Sequence, residues 1–186
     1  MKTLVVLVEN KPGVLNRVVS LIRKRGFNID SLTVGRTENS ELSRMTITVD
    51  GCPNRVATQL RKLINVVSIQ DVTEVPNLRR DLALIKVRIT PNTRAEVLRV
   101  ADIFRANVVD AGTESLIFEV TGAEDKIQAI TEMLEPFGIL EMVRTGVVAM
   151  TRGSAAVSTQ EYKPRPYKNG NTPQPKLTTT NGPFVV

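Results

Sequence analysis

One order of hydrophobic periods runs through this chain twice, and it constrains the fold more than any single residue. Leu4-Val5-Val6-Leu7-Val8 is a continuous apolar run and reads as a central strand. Val14, Val18 and Ile22 then recur one helical turn apart, flanked by Leu15 and Val19, while Arg17, Arg23, Lys24 and Arg25 face away. Gly26 stops that helix. Asn28 to Arg36 is a second strand, and the phase change between Ile29 and Leu32 predicts a bulge just after Asn28. Thr37-Glu38-Asn39-Ser40-Glu41 is turn chemistry. Met45, Ile47 and Val49 alternate with Arg44, Thr46 and Thr48, the mark of a half-buried antiparallel strand. Pro53 opens a second helix with Val56, Leu60, Leu63 and Ile64 on its inner face, and Val66 to Val75 is a fourth strand that Pro76 ends.

The second pass repeats that order. Leu82 to Ile89 is a strand, and Pro91-Asn92-Thr93 turns into a helix from Arg94 with Val97, Val100, Ala101 and Phe104 inward. Val108-Val109 and Leu116 to Val120 are strands, Ala123 to Leu134 is a helix with Ile127, Ile130 and Leu134 inward, and Ile139 to Met150 carries a last strand. The fold class is therefore α+β, two tandem ferredoxin-like βαββαβ units, each with its helices on one face of an antiparallel sheet. The expected boundaries are 1–76 and 81–153, joined by a linker at 77–80. From 154 to 186 the composition turns to Pro, Asn, Thr, Gln and Lys, which buries too little apolar surface to offset its ordering entropy and reads as a flexible basic tail.

Composition removes several classes of function. Histidine is absent, and with it the commonest general base and metal ligand; no carboxylate, lysine or serine arrangement stands out in its place, so no catalytic residue and no metal site is expected. Cys52 is the single cysteine, which excludes an internal disulfide and suits a reducing cytoplasm. No apolar run is long enough to span a bilayer, and the Met1-Lys2-Thr3 start has no cleavage site, so neither membrane insertion nor export is expected. The net charge is +6, half of it in the tail beyond Gly153, where Lys163, Arg165, Lys168 and Lys176 outweigh Glu161. A basic tail is a weak argument for nucleic acid. The stacking aromatics of an RNA-binding sheet are missing from Leu4 to Val8 and Met45 to Val49, and no helix-turn-helix pattern supports a transcriptional sensor. No nucleic-acid partner is expected.

The junction of the first strand and helix, Val8-Glu9-Asn10-Lys11-Pro12-Gly13-Val14-Leu15, is the candidate site. Asn10 suits an N-cap, Pro12 a first helical turn, and Gly13 a close approach to backbone. Helix-start amides near Gly13, Val14 and Leu15 can hold a carboxylate, and the Asn28 amide can bridge a carboxylate and an ammonium. Leu15, Ile29 and Leu32 would line an aliphatic pocket, so together these residues would select a small apolar amino acid. The plainer alternative is an ordinary capped turn, with Asn28 a turn residue and Leu15 and Ile29 part of the core. Ser43-Arg44, Arg36 and Arg144 read as solvated or interface charges, and Cys52 as incidental.

Glu9 to Leu15, followed by Arg25-Gly26-Phe27-Asn28-Ile29-Asp30-Ser31-Leu32-Thr33-Val34, resembles an ACT domain. Those runs, with Leu42-Ser43-Arg44-Met45-Thr46-Ile47, resemble the small regulatory subunits of acetolactate synthase, also called acetohydroxyacid synthase. Arg80 to Val87, Ile103 to Ala106 and Arg144 to Gly153 extend the likeness across residues 1–153. The resemblance implies a non-catalytic subunit that activates a separate large subunit. That large subunit uses thiamine diphosphate, magnesium and usually FAD to condense pyruvate, with a second pyruvate or 2-oxobutyrate, in valine, leucine and isoleucine synthesis. It also implies feedback inhibition by a branched-chain amino acid, commonly valine, and a homodimer through the ACT domain. The effector then lies between two ACT domains against Asn10, Gly13, Val14, Leu15, Asn28 and Ile29.

Overall fold

The computed structural model describes residues 2–51 and 53–154. Cys52 and the tail from 155 onward lie outside the described residues, and so do the readings made of them. The first unit runs β1 (Lys2–Glu9), α1 (Val14–Lys24), β2 (Ile29–Arg36), β3 (Leu42–Val49), α2 (Pro53–Leu60) and β4 (Val66–Asp71). Its strands pair antiparallel in the order β2-β3-β1-β4. The second unit runs β5 (Asn77–Arg88), α3 (Arg94–Ile103), β6 (Asn107–Ala111), β7 (Ser115–Gly122), α4 (Glu124–Leu134) and β8 (Ile139–Arg144), in the order β6-β7-β5-β8. This is the βαββαβ order expected from the periodicity, twice over.

In each unit one face of the sheet meets the helices. Leu4, Val6 and Val8 of β1 and Met45, Ile47 and Val49 of β3 pack with Val14, Val18, Ile22, Val56 and Leu60. Ile85, Val87, Leu116, Phe118 and Val120 pack with Val97, Ala101, Ile127, Ile130 and Leu134. Each of these side chains larger than alanine contributes about 1.5–3 kcal/mol by leaving water. Helix α1 ends as its sequence demands: Gly26 takes φ +72, its amide reaches Arg23 O at 3.0 Å, and Phe27 N reaches Ile22 O at 3.3 Å. The register of β2 on β3 shifts between Ile29 and Ser31, which is the bulge the phase change predicts.

Several expectations change. The Asp71 side chain accepts the Thr73 amide at 2.9 Å, and this local turn ends β4 at Asp71 rather than Val75. Ile64 lies beyond the end of α2 and is exposed, not inward. Asn77–Arg80, read as linker, form the first part of the twelve-residue strand β5. Ile139 to Met150 is two strands, because Gly146 takes φ +81 and turns the chain after β8. The second piece, β9 (Val148–Thr151), pairs with Asn77–Arg80.

That last strand explains how the units meet. An antiparallel sheet with helices on one face commonly leaves the other to water. Here Val5 of β1 is fully buried on the helix-free face with Val72 and Ala149 as a third, small core. Arg44 Nη2 donates to Ala149 O at 2.7 Å, Val147 N donates to Ser31 Oγ at 3.1 Å, and Thr33 Oγ1 donates to Thr145 O at 3.1 Å. The segment Thr145–Ala149 therefore lies across the helix-free face of the first sheet.

Candidate functional site

The turn between β1 and α1 is held from below by a charged network. Glu9, 3% exposed at the end of β1, meets Lys11 Nζ at 3.2 Å. Its Oε2 accepts from Asn65 Nδ2 at 2.6 Å, and Asn65 Oδ1 accepts from Arg17 Nη1 at 2.5 Å. A buried carboxylate needs such partners, and these tie the end of β1 and the first turn of α1 to Asn65, the residue before β4. From the side, Asn10 N donates to Glu41 O at 2.7 Å and Asn10 Nδ2 to Ser40 O at 2.9 Å. Asn10 thus anchors its loop to the β2–β3 turn and does not cap α1. The N-cap position belongs to Gly13, at φ +80, where a side chain would meet nothing within 4 Å.

The amides at this helix start divide by role. Val14 N is engaged with Lys11 O at 3.3 Å, so it is not available as expected. Leu15 N and Asn16 N have no backbone partner outside the helix among the described residues, and they carry the positive end of the helix dipole. Val14 is buried in the core with its amide already engaged, while Leu15 is 44% exposed beside the glycine. The core reading of Leu15 therefore fails, and that of Ile29 holds in part. Asn28 is exposed, and Ile29 is half-buried against the helix-side core.

The six candidate residues form two groups that do not meet within one chain. Asn10, Gly13, Val14 and Leu15 stand at the start of α1, and Asn28 and Ile29 follow its end. Nine helical residues, Asn16 to Lys24, separate Leu15 from the second group, a rise of about 14 Å. Strand β2, which begins at Ile29, is the outer strand of its sheet.

Of Arg44 and Arg144, read as solvated or interface charges, Arg44 is an interface charge through its bond to Ala149 O, and Arg144 pairs within the second unit. Burial pushes the Arg44 guanidinium below its ordinary value, with the Glu38 carboxylate opposing the shift. Arg144 pairs through Nε and Nη2 with Asp81, which is 1% exposed, and Thr145 Oγ1 also reaches Asp81 at 3.2 Å. Sequence reasoning missed Glu9, Asn65 and Arg17, since nothing local marks residues so far apart as one network. It also missed Ser31 and Thr33, although their alternation with Leu32 and Val34 marks a polar face on β2. Among the described residues there is no group of three or more metal-ligating side chains, and no helix is long and apolar enough to cross a membrane.

Comparison with known proteins bears on both units. Residues 4–68 match the family model described as an AHAS small subunit-like ACT domain, and residues 80–153 match the small subunit of acetolactate synthase. The chain is 49% identical over 158 residues to the acetolactate synthase small subunit of Mycolicibacterium smegmatis, covering 83% of this chain and 93% of that protein. It is 51% identical over 152 residues to the small subunit of Aquifex aeolicus, covering 79% of each. Its fold is similar to the crystal structure of the small subunit from Thermotoga maritima, with a TM-score of 0.78, 38% identity, and coverage of 83% of this chain and 98% of that one.

Proposed function

The chain belongs to the acetolactate synthase small-subunit family, a family of regulatory subunits, and from that premise we propose that its ACT domain senses a branched-chain amino acid. The effector is valine, and the regulated partner is a separate, cytoplasmic catalytic subunit carrying thiamine diphosphate, magnesium and FAD. Residues 1–76 are the effector-binding unit; the second unit covers 81–153 and takes in Asn77–Arg80, which begin its first strand.

The observation that carries this reading is the separation of the two residue groups along α1. Strands β1 and β2 are both antiparallel to β3, so they run in the same direction, and α1 returns between them. Asn10 to Leu15 therefore lie at the end of the sheet where β2 finishes, and Asn28 at the end where it starts. An open edge strand is a template for pairing with another strand. If two copies pair β2 against β2 antiparallel, the start of one β2 lies beside the finish of the other. Asn28 of a second copy then faces Asn10, Gly13 and Leu15 of the first. The free amides of Leu15 and Asn16 meet the effector carboxylate, the Asn28 amide bridges its carboxylate and ammonium, and Leu15 and Ile29 enclose its aliphatic side chain.

Reconstitution tests the reading. The chain alone should form no acetolactate from pyruvate with all cofactors present, the catalytic subunit with this chain should turn over faster than without it, and valine should lower the rate of the complex. A complex whose activation by this chain is full and whose rate is indifferent to valine, leucine and isoleucine would sink the effector assignment.

A further inference from the structure

The contact between the units falls on the strand that starts at the proposed effector site, and it is built for close approach. Ser31 and Thr33 project from the helix-free face of β2 and hold Val147 N and Thr145 O respectively. Gly146, between them, is at φ +81, and a Cβ there would collide with Ser31 Oγ and lie 3.3 Å from Thr33 Oγ1. Only glycine satisfies both the backbone angle and the space. On its other side the segment is fixed to the second unit: Arg144 and Thr145 are both bound to the buried Asp81, at the start of the stretch of β5 that pairs with β7 and β8.

We propose that Thr145–Val147, seated on Ser31 and Thr33, transmits the state of β2 to the second unit. This rests on the effector reading above. An effector between two copies bears on Asn28 and Ile29, only a bulge away from Ser31. A shift of β2 there moves the two hydroxyls, and the hydroxyls carry the 145–147 turn with them. Because that turn is pinned to Asp81 through Arg144 and Thr145, the displacement is passed to β5 and β8 instead of being absorbed in a slack loop. The coupling is a differential interaction: one position of β2 makes both hydroxyl bonds and the other does not.

The test uses the full chain with its catalytic subunit and valine as the probe, comparing wild type, the double variant Ser31→Ala/Thr33→Val, and Thr33→Ser. Valine affinity is read by calorimetry, inhibition by the rate at saturating valine, and transmission by amide exchange across 82–88 and 139–144. In wild type, valine should alter exchange in β2 and in the second unit. In the double variant, affinity should change by less than about threefold while the second-unit response and most of the inhibition disappear. Thr33→Ser keeps its hydroxyl and should behave as wild type. A double variant that folds, binds valine and is inhibited like wild type overturns the transmission proposal alone. Wild type that does not bind valine overturns the effector reading, and this proposal with it.

Discussion

At the scale of single residues, Gly13 and Asn65 separate a site from its support. A side chain at Gly13 enters open space, so the effect of Gly13→Asp falls on whatever approaches the backbone there. Its positive φ costs a non-glycine residue about 1 kcal/mol, a strain that Asp tolerates better than most. The expected outcome is a folded subunit that still activates the catalytic chain but no longer responds to valine, read as rate against valine concentration. Asn28→Ala should weaken valine binding by about 1–3 kcal/mol, because effector polar groups lose their partner. Asn65→Ala acts differently: it strips a hydrogen bond from the buried Glu9 carboxylate and frees Arg17. Thermal or urea unfolding should then report a loss of about 1–3 kcal/mol. The contrast shows what the sequence could reveal at this scale. Gly13 and Asn28 carry their roles in their own chemistry, as a residue without a side chain and a donor–acceptor amide. Asn65 and Glu9 acquire theirs only when the chain brings together positions far apart. Asn10 misled for a related reason, since its propensity to cap a helix was overridden by two carbonyls of the β2–β3 turn.

Among the elements, β2 and β9 show where periodicity informs and where it stops. The bulge in β2 was legible because a break in alternation between Ile29 and Leu32 has no other regular explanation. Strand β9 was not, because the apolar residues from Ile139 to Met150 read as one strand until Gly146 turns the chain. Local patterning likewise could not show that the start of β5 finds its partner at the other end of the unit. The outward edge of β2 carries its own expectation. Val34 is partly exposed near the middle of that strand, so Val34→Lys places like charges close together if two copies pair there, and burying them is costly. Wild type should sediment as a dimer at micromolar concentration and Val34→Lys should shift toward monomer. A wild-type monomer under those conditions contradicts the β2 interface.

For the molecule as a whole, the tandem order of two βαββαβ units was fully written in the hydrophobic pattern, while their mutual arrangement was not. The reason is that the contact uses few apolar side chains: Val5, Val72 and Ala149, with the rest carried by hydroxyls, an arginine and backbone groups. Truncation after Gly153 removes none of these and should leave valine affinity unchanged by calorimetry. Truncation after Pro76 removes Ala149 from Val5 and takes the carbonyl partner from Arg44, so residues 1–76 should melt at a lower temperature than the same unit in the whole chain. The unbroken run of β5 from Asn77 to Arg88, locked at its start to β9, has one more consequence. A crossover in ancestry at this point would give a hybrid whose face on β2 comes from one parent and whose covering turn comes from the other. Ser31, Thr33 and Gly146 must therefore be inherited as a set, and functional hybrids between relatives should be those that exchange residues 145–149 together with the first half.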